Sequence, residues 1–120
     1  MEKIDQVLSG CRSVAILGHV HPDGDCVGSC LGLYNYIQKR YPAMETDIYL
    51  EPFQKEFAFL KGADQVHYGF ETEKVYELCI VCDASDRKRL GGGAEILDKA
   101  GRTISIDHHK TNTGFAGLTL

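Results

Sequence analysis

The sequence predicts a three-layer α/β domain, with a mainly parallel sheet and helices on both faces, and three observations carry that prediction. Two short runs, Val14 to Leu17 and Leu78 to Cys82, are continuously apolar, as strands buried on both faces have to be. Segments with helical periodicity separate the strand-like runs, each near the length of about a dozen residues that a crossover between parallel strands requires. The chain has 120 residues, 43% of them apolar and 25% charged, which is enough for one core and too little for two.

Each element follows from local chemistry. Ile4, Val7, Leu8 and Cys11 fall on one helical face, and Ser9-Gly10 ends that turn. Ser13 to Leu17 is the first strand. Val27, Leu31, Tyr34 and Ile37 repeat at helical spacing, Gln38-Lys39-Arg40 suit the negative end of the helix dipole, and Pro42 stops the helix. Asp47 to Leu50 reads as a strand. Pro52 then opens a short helix through Phe53, Phe57 and Leu60 that Gly62 stops, with the aromatics at 53, 57 and 59 as core. Val66 to Tyr68 is a brief strand, Leu78 to Cys82 a fully buried one, Ala94 to Ala100 a helix ended by Gly101, and Thr103 to Ile106 an alternating strand. Gly91-Gly92-Gly93 reads as a flexible join.

Composition narrows the function. With 13 basic and 17 acidic side chains the formal charge is −4, so broad neutralisation of duplex phosphates is excluded, while a small phosphorylated ligand is not. No apolar stretch approaches the roughly 18 residues of a membrane span. The start Met1-Glu2-Lys3-Ile4-Asp5 does not read as a secretory signal, so a cytoplasmic location is expected. Five cysteines make no even disulfide framework and are expected to be reduced. Cys79-Ile80-Val81-Cys82 has redox spacing but sits inside a strand, so it reads as core, as do Cys26 and Cys30.

The chemistry collects after the buried strands. The first ends in Gly18-His19-Val20-His21-Pro22-Asp23-Gly24-Asp25, the second in Asp83, and the last in Asp107-His108-His109. In an open parallel sheet these positions share the carboxyl edge, where such folds bind ligands. Four carboxylates and up to four imidazoles meet there. At an effective dielectric of about 20, two like charges some 4 Å apart repel by about 4 kcal/mol, so the cluster opposes folding unless cations neutralise it. Two divalent ions would do so, about 3.5 to 4 Å apart, and would clamp a phosphoryl group between them. Pro22 and Gly24 are expected to bend the loop so that Asp23 and Asp25 face separate ions, with Asp83 between them. Oxygen-rich ligation with one or two imidazoles favours Mn²⁺ or Mg²⁺ over a structural zinc. His21 and Asp86 read as loop-shaping and capping residues. Ser29 reads equally as an anion contact at a helix start or a cap, and Arg87-Lys88-Arg89 as a solvated face.

These three stretches, together with Gly28-Ser29, Val81-Cys82-Asp83-Ala84-Ser85-Asp86 and Arg89-Leu90-Gly91, resemble the DHH phosphoesterase superfamily. Within it the HPDGD loop and the Asp-Ala-Ser-Asp context are most similar to the bacterial bifunctional oligoribonuclease and pAp phosphatase group. The resemblance implies that His19, Asp23 and Asp83 hold a first metal and Asp25, Asp83 and His108 a second. It gives His109 a contact to the scissile phosphate and Asp107 the orientation of the histidine pair. It also implies a manganese-dependent phosphoesterase that hydrolyses short single-stranded oligoribonucleotides and the 3′-phosphate of pAp. A related hydrolase of pyrophosphate, polyphosphate or cyclic dinucleotides, or a catalytically silent metal-binding module, stays open. Family members carry a further metal-binding aspartate and a smaller C-terminal substrate domain downstream. Residues 1–120 are therefore expected to be the N-terminal DHH domain of a longer enzyme.

Overall fold

The computed structural model describes residues 6, 8–18, 24–50, 65–68, 74–82, 93–106 and 118–119, with the backbone alone described at 24–26, 68, 106 and 118–119. Among the described residues the strands are β1 (Ser13–Leu17), β2 (Glu45–Leu50), β3 (Val66–Tyr68), β4 (Leu78–Cys82), β5 (Arg102–Ile106) and β6 (Leu118–Thr119). The helices are α1 (Gly24–Arg40), between β1 and β2, and α2 (Gly93–Lys99), between β4 and β5. The strands form one sheet in the order β3-β2-β1-β4-β5-β6, and all five neighbouring pairs run parallel.

The alternation of side chains along a strand divides the core into two layers. On one face Val14, Ile16, Ile48, Leu50, Ile80 and Cys82 meet the α1 residues Val27, Cys30, Leu31, Tyr34 and Ile37, with Leu8 behind them. On the other, Ala15, Leu17, Tyr49, Cys79 and Val81 pack with Tyr76 and with Ile96 and Leu97 of α2. The helix-sheet-helix layering expected from the sequence is thus present. Ile16 and Ile80 sit opposite each other on the central strands and are fully buried, each contributing about 1.5 to 3 kcal/mol from burial.

The turn before β1 needs Gly10, whose φ of 86° lies in the left-handed region that a Cβ disfavours. The amide of Cys11 donates to the carbonyl of Leu8 at 3.0 Å, which closes that turn. Gln6 and Leu8 are helical, as the opening periodicity predicts. β1, β3 and β4 match their expected limits, while β2 starts two residues earlier than expected, at Glu45. The Glu45 amide donates to the Arg12 carbonyl at 2.9 Å, so pairing with β1 recruits polar residues that no apolar run would mark. Three expectations change. Gly24 and Asp25 are not loop residues but the first two of α1, where an acidic side chain suits the positive end of the dipole. Ser29 is exposed and six residues into that helix, too deep to cap it. The two-residue β6 was not anticipated. The helix expected after Pro52 and the aromatics at 53, 57 and 59 lie outside the described residues.

Candidate functional site

The strand order reverses direction between β1 and β4: the chain builds outward through β2 and β3 on one side, then through β5 and β6 on the other. Such a topological switch point leaves a crevice beyond the carboxyl ends of the two central strands, the position where open α/β sheets bind ligands. Register fixes which residues reach it. Leu17 is level with Val81, and Cys82 is level with Ile106. Neighbouring strands lie about 4.8 Å apart, so β1, β4 and β5 deliver the chain to roughly 10 Å of one edge.

The residues next in sequence are His19 through Asp23 after Gly18, Asp83 after Cys82, and Asp107-His108-His109 after Ile106. His19, Asp23, Asp83, Asp107, His108 and His109 lie outside the described residues, as do His21, Asp86 and Arg87-Lys88-Arg89. Of the expected ligands, Asp25 has its backbone described, in the first turn of α1. The described strand ends therefore bring the three sequence stretches to one edge. Among the described residues no group of three or more His, Cys, Asp or Glu could hold a metal ion.

Three of the described thiols belong to the core. Cys30, Cys79 and Cys82 are buried, and Cys79 and Cys82 fall in opposite core layers, so the C-x-x-C spacing joins no pair. Burial, with the neighbouring Cys82, pushes the Cys79 thiol well above its ordinary range, which keeps it protonated and a poor ligand or nucleophile.

A polar cluster that the sequence did not flag lies on the α2 side of the sheet, toward β2 and β3. Tyr76, just before β4, donates its hydroxyl to Asp47 Oδ2 at 2.5 Å. Its oxygen also lies 2.5 Å from the hydroxyl of Tyr49. Lys74 Nζ donates to Asp47 Oδ2 at 3.2 Å and to Glu45 Oε1 at 2.8 Å. The His67 ring stacks on Tyr49 with centroids 5.0 Å apart, its Nε2 3.6 Å from Asp47 Oδ1. Burial opposes ionisation of Asp47, but the hydrogen bonds from Tyr76 and Lys74 and the charges of Lys74 and His67 outweigh it and hold the carboxyl below its usual range. Burial and the same bonds push the Tyr76 hydroxyl far up. The available signal was Asp47 itself, a carboxylate alternating into the same face as Tyr49.

The model of the DHH family N-terminal domain matches residues 13–118. The chain belongs to the DHH family. Two curated relatives carry the name bifunctional oligoribonuclease and PAP phosphatase NrnA. The one from Thermus thermophilus is 28% identical over 123 aligned residues, covering 98% of this chain and 35% of the relative. The one from Bacillus subtilis is 28% identical over 102, covering 83% and 30%. This DHH chain thus spans about a third of the length of the curated relatives it matches. The crystal structure of an exopolyphosphatase-related protein from Bacteroides fragilis superposes with a TM-score of 0.85 over 99% of this chain and 37% of that one, at 21% identity, a likeness in fold.

Proposed function

We propose that this chain carries the metal-binding half of a phosphoesterase that hydrolyses short oligoribonucleotides and the 3′-phosphate of pAp. The observation that carries the reading is the strand order at the carboxyl edge. β4 lies between β1 and β5, so the residue after β4 is the one that can reach toward both neighbours. Asp83 is that residue, and a shared ligand must sit in the middle. His19 and Asp23 would complete one metal position, Asp25 and His108 the other.

The donor set fits a hard divalent cation. It offers carboxylates and imidazoles, while Cys30, Cys79 and Cys82 are buried in the core, and that chemistry suits Mn²⁺ or Mg²⁺. Bound there, two such ions supply Lewis-acid stabilisation of the phosphoryl oxygens and a hydroxide nucleophile at neutral pH. His109 donates a hydrogen bond to a non-bridging phosphate oxygen as charge builds on it. Asp107 accepts from the histidine pair and fixes its orientation. The α1 N-terminus sets Asp25 in the first turn, on a rigid element instead of a loop. The two relatives named for oligoribonuclease and PAP phosphatase activities support the substrate class, and a C-terminal substrate domain in the full-length protein agrees with the share of those relatives that the chain covers.

The test is hydrolysis of pAp and of short oligoribonucleotides with added Mn²⁺, beside a calorimetric Mn²⁺ titration, for the parent and Asp83→Ala. The expected result is loss of metal uptake and of turnover together, by about a hundred-fold or more. Metal uptake by Asp83→Ala at parental affinity would overturn the bridging role. Release of phosphate from polyphosphate in preference to pAp would move the substrate assignment.

A further inference from the structure

We draw no further inference here: the strongest candidate, the groove along the exposed side of α1 beside Gly32, Asn35, Tyr36 and Lys39, continues a helix face opened by Gly28 and Gly32, and nothing in the structure shows what covers it.

Discussion

Asp47 concentrates the electrostatics of the described structure in one side chain. Its side chain is 16% exposed, in a position where an unpaired carboxylate would be costly, and it is compensated by Tyr76 and Lys74. Burial raises its pKa and the bonds lower it, and the bonds prevail. A carboxyl whose folded pKa is depressed adds stability that is fully present above the unfolded value of about 3.9 and is lost as pH falls through the folded value. Asp47→Asn keeps an acceptor for Tyr76 but removes the charge, and should cost about 1 kcal/mol at pH 7. Urea unfolding midpoints for the two proteins should converge as pH drops from 5 toward 3. A gap that stays constant across that range would mean the charge contributes nothing. The Lys74–Glu45 pair, both partners more than half exposed, adds little by comparison.

At the scale of an element, α1 shows a cost with no intramolecular return. Gly28 and Gly32 lie on its exposed side, and a Cβ at either position would meet nothing within 4 Å. An alanine there fills open space and reduces the freedom of the unfolded chain. Gly32→Ala should therefore stabilise the fold by about 0.5 to 1 kcal/mol, or a rise in Tm of about 2 to 4 °C for a domain of this size, read by thermal circular dichroism. The two central strands were disclosed by burial on both faces, which leaves an unbroken apolar run in Val14 to Leu17 and Leu78–Cys82, and α1 by the helical spacing of its buried residues. β6 has two residues and can leave no such run. Glu45 and Thr46 join β2 through pairing with Ser13 and Val14, a long-range cause that local pattern does not record. The three stretches of the candidate site were readable as residues that follow strand ends, and apart from the backbone of Asp25 its proposed ligands lie outside the described residues. The hydrogen-bonded cluster of Tyr49, Tyr76 and Asp47 was not readable, because Tyr76 precedes its strand and meets partners on β2, outside any period-two or helical count.

For the molecule as a whole, the candidate ligands leave the ends of three adjacent strands, so metal binding and folding should be linked. Only the folded sheet brings residues after β1, β4 and β5 together, and the unfolded chain has no such array. A ligand that binds only the native state stabilises it by about 2.7 kcal/mol at a hundred times its dissociation constant. If the proposed carboxylates converge, the metal-free protein would carry the opposite burden, since clustered carboxylates without counter-ions repel. Mn²⁺ should therefore raise Tm by about 8 to 15 °C over the same protein in EDTA, given the entropy of unfolding of a domain this size. Asp83→Ala should abolish that rise while leaving the EDTA melting point equal to or above the parent's, because it removes one member of the repelling set. A variant that melts well below the parent in EDTA would assign Asp83 a structural role in capping the chain after β4, and the carboxyl edge would then need a different central ligand.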